Sequence, residues 1–162
     1  MSTRLAWGHV AALAIWIAIS GAAYLYFDAR QKPIIVTARA DLAGGEVVIP
    51  RSRDGHYYIR GAIRGHAVDF MVDTGASIVS VSRTVARHAN LPAGTPANFS
   101  TAGGAVTGEV VSGQIIEAGG ILVENLSVGV GIHGETGLLG QNFLRHVDVL
   151  QLEDKMVLRI RP

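Results

Sequence analysis

One stretch of this chain cannot share a fold with the rest. Leu5 to Phe27 runs for 23 residues without an Asp, Glu, Lys or Arg. As a helix rising about 1.5 Å per residue, it spans a hydrocarbon core about 30 Å thick. Trp7 lies near one end, and Tyr24, Tyr26 and Phe27 crowd the other, as interfacial aromatics do. A helix buried in a soluble core would carry a polar stripe, and this one has almost none. Ser20-Gly21-Ala22-Ala23 offers a small-residue site of the kind cut in signal peptides. The apolar run continues past that site, which favours an uncleaved anchor. The chain therefore divides into a membrane anchor at 1–30, with its transmembrane helix at about 5–27, a linker at 31–44 and a domain at 45–162. Pro33 limits any helical continuation into the linker, and Ile34-Ile35-Val36 reads as a short strand or a stem on the domain.

Beyond the linker the pattern is that of short strands. The chain holds 20 glycines, and they punctuate apolar runs of strand length. Glu46 to Pro50 reads as the first strand. His56 to Ile63 and Ala67 to Val72 read as a hairpin turned at Arg64-Gly65-His66. Val68, Phe70 and Val72 share one face by the period of two, and Asp69 alternates away from it. Ser82 is placed to cap a short helix over Arg83 to Ala89. These signals predict an all-β domain with one or two short helices.

The hairpin delivers Asp73 to the end of a core strand. Phe70-Met71-Val72 is apolar, Asp73-Thr74-Gly75-Ala76-Ser77 turns, and Ile78-Val79-Ser80-Val81 resumes as a strand. Asp73 is expected at a sharp, enclosed turn. A carboxylate there needs hydrogen-bond donors. Thr74 brings a hydroxyl, and Gly75 lets a backbone N–H approach without a Cβ in the way. The same three letters also occur in ordinary Asx turns.

Two further glycine-rich segments follow. Ala97 to Val111 reads as a hairpin tipped by Ala102-Gly103-Gly104, with Gln114 to Glu117 and Ile121 to Val130 as separate strands. Gly131 to Gly137 reads as a loop carrying His133 and Glu135. It leads into Leu138-Leu139-Gly140 and one or two helical turns over Gln141 to Arg145. Met156 to Ile160 closes the chain as an alternating strand.

The order of these landmarks resembles retropepsin-like aspartic proteases, and within them the bacterial single-domain group with an N-terminal membrane anchor. The landmarks are Gly55-His56-Tyr57, Ile63-Arg64-Gly65, Asp73-Thr74-Gly75-Ala76, Thr101-Ala102-Gly103-Gly104 and Leu138-Leu139-Gly140-Gln141-Asn142-Phe143-Leu144. Together they cover roughly His56 to Ile160. The resemblance implies a closed acid-protease barrel preceded by the transmembrane helix. It also implies an aspartic endopeptidase in which two carboxylates share a proton and activate water. Among seven aspartates only Asp73 lies in the Asp-Thr-Gly setting, so the second must come from another copy. The implied enzyme is a homodimer with Asp73 catalytic in each subunit, acting on peptide or protein substrates.

By the same resemblance Thr74 locks the two loops across the axis, and Gly75 offers its N–H to the carboxylates. Leu138, Leu139 and Gly140 pack behind the loop that Ala76 completes. Thr101, Ala102, Gly103 and Gly104 form a flap over substrate, and the C-terminal strand contributes to the dimer interface. Ala76 departs from pepsin-like enzymes, which often carry a hydroxyl there, and Gly103 replaces an Asn frequent in this bacterial group. The expected location is the inner membrane, single-pass, with the protease domain periplasmic. Arg30, Lys32 and Arg39 after the helix lean weakly the other way.

Other functions are disfavoured. Net charge is +1, which gives no electrostatic footprint for nucleic acid. There is no cysteine, and the six histidines are scattered without a metal-ligand spacing, so neither metal nor cofactor is expected. His56, His66 and His133 read as surface or turn residues. No glycine-rich stretch leads into the Lys-Ser or Lys-Thr of a nucleotide loop. The competing reading is a catalytically silent module of the same fold that binds extended peptides or only dimerises.

Overall fold

A computed structural model of the chain describes residues 4–31, 33–36, 45–101 and 103–161. It divides into two units, Met1–Pro33 and Ile34–Pro162. The first is helix α1, Arg4–Gln31, one turn longer than the apolar run predicts. None of its apolar span, Gly8–Arg30, is buried, and Trp16 and Tyr24 are among its exposed side chains. By length and composition α1 fits a membrane span or a signal sequence.

The second unit is almost wholly β. In chain order it contains β1 (Ile35–Val36), β2 (Glu46–Pro50), β3 (Tyr58–Ile63), β4 (His66–Val72), β5 (Val79–Ser82), α2 (Arg83–His88), β6 (Thr95–Thr101), β7 (Gly104–Ala118), β8 (Ile121–Ile132), β9 (Gly137–Leu139), α3 (Gln141–Leu144), β10 (Val147–Gln151) and β11 (Lys155–Ile160). The main sheet runs β1-β3-β4-β9-β5-β8-β7-β6, and pairing of β3 with β7 closes six of these strands into a barrel. This is the closed barrel that the resemblance implies. Closure occurs at Gly61, opposite Ala118, where any Cβ would lie 2.0 Å from the Glu117 carbonyl oxygen. Only glycine lets the two backbones meet there.

Alternation fills the barrel. Val68, Phe70 and Val72 of β4 point inward with Ile59, Ile63, Val79, Val81 and Val128, and Asp69 turns outward to pair with Arg60 at 2.7 and 3.0 Å. Ser82 caps α2 by accepting the Val85 N–H.

A smaller sheet, β10-β11-β2, covers the barrel with Val47, Ile49, Val147, Met156 and Leu158. The C-terminal strand β11 lies in its middle, so both its backbone edges are paired within the chain, and the open edges belong to β2 and β10.

Three boundaries differ from the sequence reading. Gln114 to Glu117 is not a separate strand. It continues β7 through register shifts between Val111 and Ile116, because a bulge absorbs extra residues without ending the ladder. The loop read at 131–137 shrinks, since Gly131 and Ile132 end β8 and Gly137 begins β9. Strand β3 begins at Tyr58, with Tyr57 in an isolated bridge to Arg51. The tether region contributes β1, which pairs in parallel with Tyr58 and Ile59, and the Ile34 N–H donates to the buried Ser52 Oγ. Residues 37–44 of that region lie outside the described residues.

Candidate active site

Asp73 is the first residue beyond β4. Parallel pairing of Val72 with Leu139 brings β9 alongside, and the Asp73 N–H donates to the Leu139 carbonyl at 3.1 Å. The Gly75 N–H donates to Asp73 Oδ1 at 2.9 Å, and the Ala76 N–H to the Asp73 carbonyl at 3.3 Å. These bonds turn the backbone and fix the carboxylate. The turn is less enclosed than the sequence suggests. Asp73 is half-buried, and Thr74 and Gly75 are exposed, because in a single chain the outer face of the loop opens to solvent.

Behind the loop, α3 acts as a clamp. The Gln141 N–H donates to the Ala76 carbonyl at 2.8 Å and the Asn142 N–H to the Ser77 carbonyl at 3.1 Å. The Gln141 side-chain amide donates to the Thr74 carbonyl at 2.8 Å. Asn142 is buried; its Oδ1 accepts the Val79 N–H and its Nδ2 donates to the Ser127 carbonyl, both at 2.8 Å. Asn142 thus ties the strand after the Asp73 loop to β8. Gly140 makes the approach possible, since a Cβ there would lie 2.4 Å from the Ile78 carbonyl oxygen. Gln141 and Asn142 were only part of a motif in the sequence. Nothing in their spacing shows that their side chains hold the loop.

Leu138, Leu139 and Gly140 do not act alike. Leu139 is fully buried behind the loop, while Leu138 alternates outward and lines a cleft. That cleft has a volume of about 920 Å³. Its floor is Asp73 with Gly75 to Ile78. One wall is the β6–β7 hairpin, through Asn98 to Thr101, Gly103 and Val106. The other is Ile132 to Thr136 with Leu138. At the hairpin tip Thr101 pairs with Gly104, and the Thr101 hydroxyl donates to the Gly104 carbonyl at 2.8 Å. Ala102 lies outside the described residues.

Tyr58, Met71 and Ser80 complete the described lining. Tyr58 is a site residue that the sequence reading passed over. It is buried, and its hydroxyl donates to Asp54 Oδ2 at 2.6 Å. Burial, and then the neighbouring carboxylate, push the phenol up to about 12. The same hydrogen bond from Tyr58 leads in holding Asp54 below the usual carboxylate range, with help from the His56 N–H and ring. A turn Asp four residues before a strand that starts with Tyr was the available signal.

The other described aspartates are engaged elsewhere or lie apart. Asp69 pairs with Arg60 and Asp148 with Arg161, while Asp28 lies in α1. Among the described residues no three His, Asp or Glu side chains gather as a metal-ligand set.

The profile of a family described as "gag-polyprotein putative aspartyl protease" matches residues 59–146, which run from the first barrel strand through α3. The chain belongs to this retropepsin-like family. An uncharacterised protein of Rickettsia prowazekii (strain Madrid E) is 46% identical over 39 residues, and the match covers 24% of this chain and only 17% of that protein. An uncharacterised protein from the cobV 5′ region of a Sinorhizobium species is 29% identical over 170 aligned positions, covering 91% of this chain and 72% of its own. Among solved structures, the crystal structure of a retropepsin-like aspartic protease from Rickettsia conorii superposes with a TM-score of 0.62 at 24% identity. It covers 72% of this chain and 91% of that one. That likeness speaks for the retropepsin fold.

Proposed function

We propose that this chain is one protomer of a membrane-anchored, homodimeric aspartic endopeptidase. One observation carries the reading. A single aspartate, Asp73, is held by a backbone N–H at the floor of a peptide-sized cleft, on a loop whose outer face is exposed. Carboxylate-driven peptide hydrolysis needs two such groups, and a two-fold axis beside the loop supplies the second. In the dimer one carboxylate takes a proton from water as the oxygen adds to the scissile carbonyl. The other carboxyl donates its proton to the carbonyl oxygen. Collapse then breaks the C–N bond, and the leaving amine takes up a proton.

Thr74, exposed beside the axis, is assigned to the contact between the two loops, and Gly75 to holding the carboxylates. Thr101 to Gly104 is assigned to the flap. Residues 1–30 serve as the anchor, 31–44 as the linker and 45–162 as the protease domain. The location is the inner membrane, with the protease domain in the periplasm. Support for the anchor is the unburied apolar span of α1.

The test uses the full chain in detergent micelles, with a diverse peptide mixture read by mass spectrometry and mass read by light scattering. Wild type cleaves, Asp73→Asn loses about 10³-fold or more in rate, and both are dimers. Cleavage by Asp73→Asn equal to wild type rejects the proposal. Dimers of wild type that never cleave replace it with a silent peptide-binding module.

A further inference from the structure

The loop between β8 and β9 carries a charge that the catalytic reading leaves unused. Glu135 lines the same cleft as Asp73. It is exposed, and among the described residues it makes no ion pair and no hydrogen bond. No described lining residue is Lys or Arg; the acidic side chains of the lining are Asp73 and Glu135, and its one histidine is His133. Around them the walls are largely apolar, with Met71, Ile78, Phe99 and Leu138. A substrate that fills this cleft meets one acidic group at Asp73 and another, unpaired, in the loop between β8 and β9.

We infer that Glu135 is a specificity-determining residue that selects peptides with a lysine or arginine side chain near the scissile bond, flanked by apolar residues. The inference rests on the proposed protease reading for the scissile bond, but not for the binding preference. The physical reason is local. A cationic side chain seated there gains a partner while losing part of its hydration, and an anionic one meets two like charges. Because the proposed dimer is two-fold symmetric, each cleft half carries its own Glu135. The basic preference therefore appears at two positions placed symmetrically about the scissile bond.

The experiment separates binding from chemistry. Acetylated peptide pairs that differ only by lysine against norleucine at one position are scanned along an apolar frame. Acetylation removes the terminal amine as an alternative cation. The full chain with Asp73→Asn reports binding, and the full chain with native Asp73 reports kcat/KM. Lysine is expected to bind about fivefold more tightly than norleucine, as for a largely exposed ion pair, with the advantage shrinking as salt rises. Glu135→Gln brings the lysine-to-norleucine ratio to one, and Glu135→Lys inverts it in favour of norleucine. A ratio of one in the Asp73→Asn background, or a ratio that survives Glu135→Gln, overturns the inference. Binding preference without any cleavage by the native chain rejects the protease reading and keeps the role of Glu135.

Discussion

The two sides of the cleft are built to different standards. The Asp73 loop is stitched from behind by β9 and α3, and it leads into β5, whose four residues are all buried. The β6–β7 hairpin facing it hangs from the sheet edge. Among the described strands β6 pairs only with β7, and none of its residues is fully buried. One side is therefore preorganised to hold a carboxylate, and the other is weakly tied down, as the proposed flap requires. Catalytic positioning needs the first property and substrate entry needs the second. The contrast also shows that the loop's order comes from distant backbone. Glycine at 140 and amides at 141 and 142 hold residues 74–79 across more than sixty positions of sequence.

The largest predicted effect breaks the rigid side. Asn142→Leu keeps the volume but strands the Val79 N–H and the Ser127 carbonyl in a buried place. Unsatisfied buried groups cost about 1–3 kcal/mol each, so chemical denaturation should show a loss of about 2–4 kcal/mol, with activity falling alongside. Full stability in that variant would mean the clamp does not hold the loop.

A second measurement sharpens the contrast without a mutation. Hydrogen exchange should be at least about tenfold faster at the amides of β6 than at Val79 and Val81, since opening an edge ribbon exposes little apolar surface. Equal protection would show that the hairpin is no looser than the floor.

The smallest effect lies at the cleft's side wall. Tyr58 titrates near 12, above its ordinary value, so the neutral phenol is favoured in the fold. Its contribution is complete below about pH 10 and is lost as pH rises through the folded value. Asp54 has the opposite sign, since its contribution is present above the ordinary aspartate range and is lost as pH falls through its lowered value. Tyr58→Phe should flatten the alkaline limb of the stability profile while changing neutral stability by about 1 kcal/mol or less. An unchanged alkaline limb would show that the pair is not what titrates there.

Much of this was legible in the residues. The alternation of Val68, Phe70 and Val72 fixed which face of β4 is core and sent Asp69 outward. Ser82 announced the start of α2, and Asp73-Thr74-Gly75 announced the turn at the floor of the cleft. The unbroken apolar stretch at Leu5–Phe27 stood apart from every strand signal. Such features are local, because periodicity, caps and turns are set by residues a few positions apart.

What the sequence left open depends on contacts between distant residues. The join of Gly61 to Ala118 that closes the barrel, the amide bonds from Gln141 and Asn142, the burial of β11 between two neighbours and the pairing of Tyr58 with Asp54 beside the cleft were decided by the tertiary structure. No local pattern encodes them, since each exists only once the sheet has brought its partners within reach. The sequence chose the strands, the turn and the carboxylate; the closed sheet decided which backbone groups hold that carboxylate and which side chains share its cleft.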